Sequence, residues 1–416
     1  MHVGKVDRFF GIPSHRVRSV YFLDASRHEV ADDALVDTVV VELERVERDF
    51  ACACGRRFGT YYDFREQSVR DLPWGPWRKV ELLVPRFRLC CPECGVRTEP
   101  LDWLVPRCGY TRRLADGVAL ACREVRAVSA VAGQFSLSWD IASRIDRASL
   151  ERQLNPPDFS GLRFLAMDEI AIRRGHRYAT VFLDCERNRV VWMCENRDRE
   201  SVGAVFRDVF GPEVCSRIEA VAMDWWQPFE EAVREHAPRA EIVWDFFHIV
   251  KNYNKKVIDA VRLEEARRHR DGEGDKPAYT AIKRSKWILL SNPANCREPA
   301  RLGEILRANR RLLGVHAMRE LLRKAWEAET REEATAIMEG WIGRALKSRI
   351  PQLRAFGQAL ADKVAGIANH AAYRISTGVL EGINNKIKVI KRVAYGFRDM
   401  AYFFLKVRAQ FSAVPQ

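Results

Sequence analysis

The sequence predicts a multidomain α/β protein: a mixed sheet interrupted by an all-helical insertion, preceded by a cysteine-rich ribbon and a pair of short helices. Three observations carry that prediction. Strand-like and helix-like runs alternate between 161 and 264. Almost no strand signal appears between 265 and 365, where apolar residues recur at helical spacing. Five of the 11 cysteines crowd between Cys52 and Cys94.

Bulk composition narrows the classes. A chain of 416 residues is too long for one compact core, so several domains are expected. The apolar fraction of 47% is that of an ordinary globular protein. No apolar run is long enough to span a bilayer, and MHVGKVDRFFGIPSH lacks the apolar core of a secretory signal. A cytoplasmic, non-membrane protein is expected. The net charge of +13 favours a polyanionic partner through phosphate neutralisation. Arg outnumbers Lys 54 to 15, and the guanidinium fork matches phosphate geometry.

Residues 1–50 read as a β-rich lead-in, with VRSVYFL and DTVVVELERV as strands. Residues 51–110 carry Cys52-Ala-Cys54-Gly55, a turn-rich stretch, the strand ELLVPRFRL and Cys90-Cys91-Pro92-Glu93-Cys94-Gly95. Two cysteine knuckles joined by strand material predict a zinc ribbon. Each points two thiolates at one ion, and glycine lets the backbone curl around it. Residues 111–155 read as helices, and VSAVAGQFSLSWDIASRI has helix-turn-helix rhythm. Arg123, Arg126, Arg144 and Arg147 supply positive charge there.

From 156 to 264 the order is three hairpin-linked strands, GLRFLAMDE, RYATVFLD and RVVWMCE, then helix, RIEAVAMD, helix and AEIVWD. That is the order of an RNase H-like domain. The helical insertion spans 265–365, and 366–416 completes the catalytic domain. STGVLEGINNKIKVIKRVAYGF predicts an amphipathic helix capped by Ser376 or Thr377. Leu380, Ile383, Ile387 and Ile390 share one face; Glu381, Asn384, Asn385, Lys388 and Arg392 share another.

Asp168 ends the strand FLAMD and Asp224 ends EAVAMD. At the C-terminal ends of neighbouring parallel strands the two carboxylates repel unless cations sit between them. A pair of Mg²⁺ (or Mn²⁺) ions satisfies them and suits in-line phosphoryl transfer. Glu381 offers a third carboxylate, and Lys388 and Arg392 can hold the DNA backbone beside it. Rival acids are placed elsewhere. Glu169 alternates to the opposite side of the strand, and Asp184 ends an antiparallel strand at the far edge. Asp245 and His248 sit one strand beyond Asp224 and are supporting candidates, as are Asn384 and Asn385. Trp225 and Trp226 either stack on a frayed base or pack a helix against the sheet, and packing is the commoner role.

DEIAIRRGHRYATVFLD, AVAMDWWQPFEEAV, WDFFHIVKNYNKKVIDAVR and GVLEGINNKIKVIKRVAYGFRD resemble the signature blocks of the ISL-three family of insertion-sequence transposases. The resemblance covers nearly the whole chain. It implies an N-terminal zinc-finger-like domain, a helix-turn-helix and a DDE domain, with Asp168 and Asp224 as the aspartates and Glu381 as the glutamate. The chain departs from the family at Cys52-Ala-Cys54, with one intervening residue where two are usual. The expected zinc set is Cys52, Cys54, Cys91 and Cys94, with Cys90 or Cys108 able to replace Cys52. Cys122, Cys185, Cys194, Cys215 and Cys296 read as core residues.

The expected protein is thus a homodimeric bacterial transposase that binds terminal inverted repeats in double-stranded DNA. It would cut and join them with the same carboxylates. Two other readings remain: an RNase H-fold nuclease or resolvase, and a non-catalytic zinc-ribbon and helix-turn-helix regulator.

Overall fold

The computed structural model describes residues 11–31, 36–124, 127–173, 175, 177–271, 275–291, 295–375 and 377–411. Arg126 and Ser376 lie outside the described residues. The chain forms two compact units, Met1–Asn155 with Val389–Lys406, and Pro156–Lys388 with Val407–Gln416. No helix among the described residues is long and apolar enough to cross a membrane.

In the first unit, β1 (His15–Leu23), β2 (Thr38–Arg45), β6 (Lys79–Cys91) and β5 (Asp63–Asp71) lie side by side in that order. Only β2 and β6 run parallel. β7 (Gly95–Thr98) pairs with the far end of β6. β3 (Phe50–Ala51) and β4 (Arg57–Phe58) form a separate short hairpin.

β6 serves two cores. Val80, Leu82 and Val84 point into one with Val39, Val41 and Val69. Beyond Pro85 and Arg86 the inward set changes phase. Phe87, Leu89 and Cys91 then pack with Phe50 and Cys52. The 13-residue β6 lies wholly within the expected ribbon of 51–110, yet its first half packs with the lead-in strands, so the boundary expected at residue 50 does not separate the two cores.

Three helices follow: α1 (Arg112–Arg123), α2 (Val128–Gln134) and α3 (Trp139–Gln153). The Thr111 hydroxyl accepts from Leu114 N–H and caps α1, and Ser138 does the same for α3 through Ile141. Val118, Val131, Ala142 and Ile145 bury the facing surfaces.

The expectation puts 366–416 wholly with the carboxylate-bearing sheet, yet residues 389–406 belong to the first unit. The reason is electrostatic. Asp146 on α3 is buried, and Lys406 Nζ lies 2.9 Å from its carboxylate. The Tyr402 hydroxyl donates to the same group, and Lys406 also donates to Cys122 O.

The second unit holds a sheet in the order β10 (Arg189–Glu195), β9 (Arg177–Asp184), β8 (Phe164–Arg173), β11 (Ala220–Met223), β12 (Glu241–Trp244). The first three are antiparallel hairpin strands, and β11 and β12 run parallel to β8. Past Trp244 every described element is a helix. This helical stretch is no separate module. Its Leu312, Trp341 and Phe356 share one core with Leu165, Met167 and Val221 of the sheet. Two of its buried polar groups are paired within the core: Tyr253 OH donates to Val315 O and Trp341 Nε1–H to Met318 O, both at 2.7 Å.

The chain comes back to the sheet through the helix Val364–Tyr373, which lies on β12. Gly366 makes this approach possible: a Cβ there would stand 2.5 Å from the Trp244 indole nitrogen. Arg374, at φ 33°, ends that helix in the left-handed region, and the helix Thr377–Val393 begins just beyond.

Candidate active site

Register sets the site. Met167 on β8 is opposite Met223 on β11, and Met223 is opposite Trp244 on β12. The next residues are Asp168, Asp224 and Asp245. Parallel strands about 4.8 Å apart therefore present three aspartates in one row, on the same side of the sheet. Contrary to the sequence expectation, Asp168 does not end its strand. β8 runs on to Arg173, paired with β9 alone, because β11 stops at Met223. The side of Asp168 that β11 vacates is where the site opens.

Asp245 accepts from Phe247 N–H and caps the following helix, Phe246–Tyr253. One turn in, His248 Nδ1 lies 2.5 Å from Asp224 and 2.8 Å from Asp245. Asp224, Asp245 and His248 have ligand atoms close enough to share an ion. Burial draws the His248 pKa down. Its hydrogen bonds to Asp224 and Asp245 outweigh that and hold it up at about 10. Burial and the nearby Asp224 charge push Asp168 up to about 7. Asp224 is raised mainly by burial, against the pull of His248. Crowded carboxylates of this kind repel one another, and a cation between them would relieve that repulsion.

Glu381 is exposed and lines the same cavity, of about 930 Å³, as Asp168, Asp224 and Asp245. One turn further along its helix, the buried Asn384 donates through Nδ2 to Asp168. Lys388, a turn beyond, also lines the cavity; Asn385 does not, and it accepts from Lys388 instead. Arg392 lies among the residues grouped with the first unit. Sequence reasoning missed Lys251, Arg323 and Arg374, cations that line this cavity from three different segments.

The rival acids are accounted for. Glu169, expected on the opposite side of the strand, lines the same cavity, and its carboxylate pairs with Arg197. Asp184 is fully buried opposite Leu165, near the start of β8, and takes hydrogen bonds from Arg187 and two backbone N–H groups. Trp225 packs on the core. Trp226 lies under the Arg197 guanidinium, 4.4 Å from its ring centre, and donates to Arg197 O. Both tryptophans are engaged in packing.

Comparison with known proteins bears directly on this arrangement. A family model described as a transposase, of the ISL3 type with a DDE domain, matches residues 165–407, and the helix-turn-helix domain of transposase family ISL3 matches 99–149. The chain is 40% identical over 381 residues to the transposase for insertion sequence element IS1001 of Bordetella parapertussis, covering 90% of this chain and 92% of that one. The chain belongs to the ISL3 family of insertion-sequence transposases. It is also 27% identical over 372 residues to the transposase for element IS1557 of Mycobacterium tuberculosis, across 83% of this chain and 82% of that one. Among solved structures, the Drosophila P element transposase strand transfer complex aligns at 11% identity and a TM-score of 0.36, over 71% of this chain and 91% of that chain. That likeness is too loose to bear on the fold.

The ISL3 helix-turn-helix match takes in α1, α2 and α3, with the turn at Phe135–Ser138. Arg144 is exposed on α3. Arg147 on the same helix is held by Glu151 at 3.1 Å and Asp399 at 2.6 Å, and Arg123 donates to Gln153. Arg144 therefore carries the most available charge of these three.

The transposase's cysteines form a second cluster. The thiols of Cys52, Cys54, Cys91 and Cys94 all lie within 4.8 Å of one another, with Cys54 and Cys91 at 3.7 Å. Four sulfurs each about 2.3 Å from one zinc stand about 3.8 Å apart, so the set fits a tetrahedral ion. Gly55 and Gly95 follow the two pairs at φ 89° and 71°, a conformation that favours glycine. Backbone N–H groups of Cys94 and Glu93 lower the Cys91 pKa to about 7, while the neighbouring thiols raise Cys94 to about 12. The shortened Cys52-Ala-Cys54 turn still delivers Cys52. Cys90 is exposed on the other face of β6, and Cys108 lies outside the cluster.

Proposed function

We propose that this transposase cuts and joins DNA at the terminal inverted repeats of its element through an RNase H-like domain, with Asp168, Asp224 and Glu381 as the carboxylates that hold two Mg²⁺ or Mn²⁺ ions. The observation that carries this reading is the in-register row of aspartates, with a helix returning Glu381 and Asn384 to the same cavity. The strand order, three antiparallel strands and then two parallel ones, supports the RNase H-like assignment.

The donor set fits hard divalent cations: it is all oxygen apart from His248, and its carboxylates resist ionisation without one. Such ions supply Lewis-acid polarisation of the phosphoryl oxygens. The chain's own groups do the rest. Asp168 and Asp224 fix the position of the reacting phosphodiester through what they hold. His248 keeps Asp224 and Asp245 in one orientation. Lys251, Arg323 and Lys388 line the cavity as cations for the flanking phosphates. Water attacks the phosphorus and the bridging oxygen leaves as a 3′-hydroxyl. That hydroxyl then attacks a target phosphodiester, and the target's own 3′-oxygen leaves. No covalent protein–DNA intermediate is required.

Zinc in the Cys52, Cys54, Cys91 and Cys94 cluster shapes the ribbon, and α3 enters a major groove with Arg144 foremost. A homodimer acting in the cytoplasm holds two element ends at once. The functional division is thus ribbon and helix-turn-helix for DNA reading, 156–388 for chemistry. The test is strand transfer on an oligonucleotide bearing the element's ends, with Mn²⁺ present. Joining of ends by the wild type and none by Asp224→Ala supports the reading; structure-specific cutting without joining would favour a resolvase. Zinc content should be about one per chain and fall in Cys91→Ser.

A further inference from the structure

Three buried polar atoms on residues lining the cavity have no hydrogen-bond partner among the described residues: Asn254 Oδ1, His370 Nδ1 and Asn384 Oδ1. Buried polar atoms are nearly always paired, and an unpaired one usually marks a missing water or ion. Three in one cavity mark a place that something other than the polypeptide completes.

Asn384 is the most constrained of them. It is only 5% exposed, and its Nδ2 already donates to Asp168 Oδ2. A carboxylate that holds a cation is ionised and only accepts, so with an ion bound this hydrogen bond fixes which end of the amide is nitrogen. The oxygen is left unpaired beside the same aspartate. Asn384 also stands three residues after Glu381, so both side chains share one helical face. Its own helix spans 17 residues, and asparagine is a poor choice for the middle of a helix whose buried neighbours are Leu380, Ile383 and Ile387. Packing alone would be better served by alanine or leucine.

The geometry points to Asn384 as a further metal ligand: its Oδ1 binds the divalent ion that Asp168 helps to hold, while its Nδ2 keeps Asp168 in place. Amide oxygens are ordinary ligands of hard divalent cations. The inference rests on the reading that Asp168 and Asp224 hold such ions. It adds a neutral oxygen, which lets the site bind an ion without a further like charge against Asp168.

The test is Mn²⁺ binding, measured by calorimetry on the full-length, zinc-loaded protein without DNA. Asn384→Ala should weaken Mn²⁺ by about 10- to 100-fold, the usual cost of losing a group that sets a metal site. Asn384→Asp keeps an oxygen in place and loses the amide donor, so it should bind Mn²⁺ at least as tightly as the wild type. If Asn384→Asp is as weak as Asn384→Ala, the amide only positions Asp168 and the ligand assignment is overturned. The same holds if Asn384→Ala binds like the wild type while Asp168→Asn does not. Should Asp168→Asn itself bind like the wild type, the carboxylate reading has failed first. Zinc content and far-ultraviolet circular dichroism check that each variant folds. If Asn384→Ala does not fold, Asn384→Asp against the wild type decides alone, and weakened binding there overturns the assignment.

Discussion

Asp146 in the first unit and Asp168 in the second are both aspartates withdrawn from water, and they are treated in opposite ways. Asp146 is 1% exposed and is answered from within the chain, by the Lys406 ammonium at 2.9 Å and the Tyr402 hydroxyl. Asp168 receives only Asn384 and the N–H of Glu169, and it faces Asp224 across the gap between strands. The first is a settled charge that joins two distant segments. The second is an unsettled one, kept for a partner that comes from solution. The cysteine cluster stands between these cases: its four thiols surround a place that one ion could fill, whereas the carboxylates line an open cavity.

The contrast breaks most visibly in catalysis. Asp224→Ala and Glu381→Ala should each lower strand transfer by at least about 10³-fold, roughly 4 kcal/mol of transition-state stabilisation, with zinc content unchanged. Full activity in either would remove that residue from the site. Lys406→Met should cost the first unit about 3–5 kcal/mol, because Asp146 is then left buried and uncompensated. Thermal unfolding measures this, and an unchanged melting temperature would show that Asp146 does not need its lysine.

Asp168→Asn should do the reverse and stabilise the metal-free protein, by about 2 kcal/mol at pH 8. The sign follows from the raised pKa. Below about pH 4 the carboxyl is protonated whether the chain is folded or not, and the variant gains nothing. Between the ordinary value of 3.8 and about 7 the unfolded chain ionises and the folded one does not. Wild-type stability therefore falls as pH rises through that window, and the gain from Asp168→Asn is complete above it. Melting curves at pH 4, 6 and 8 resolve the trend, and a variant no more stable at pH 8 than at pH 4 would contradict it. The smallest effect is stabilisation by Mn²⁺ itself. It should raise the wild-type melting temperature by a few degrees at saturating ion, by mass action, and leave Asp168→Asn unmoved.

Much of this was legible locally. FLAMD and AVAMD each end four apolar residues with an aspartate and EIVWD ends three, and that shared ending gives all three positions of the row. The signal for Asp245 equals the signal for Asp224, although strand order alone makes Asp245 and His248 supporting groups. The four cysteines were legible because knuckles are local, with each pair a few residues apart. What local pattern could not supply was the identity of distant partners. Asp146 looks like any solvated aspartate in WDIASRIDRAS, since nothing nearby says that Lys406 will cover it. Asn384 shares an apparent polar face with Asn385, yet one is buried on Asp168 and the other exposed. The phase change in β6 at Pro85, which joins lead-in to ribbon, depends on which cores exist to receive its side chains.

The link from Asp146 to Tyr402 spans 256 positions, and that from Asp168 to Asn384 spans 216. Domains emerging from a ribosome begin to fold in order of synthesis. Here neither unit can finish in that order. The first unit holds an aspartate with no countercharge until residue 406 has left the exit tunnel, and the second lacks the helix that bears Glu381 until almost as late. A nonsense codon before position 381 disables both halves together.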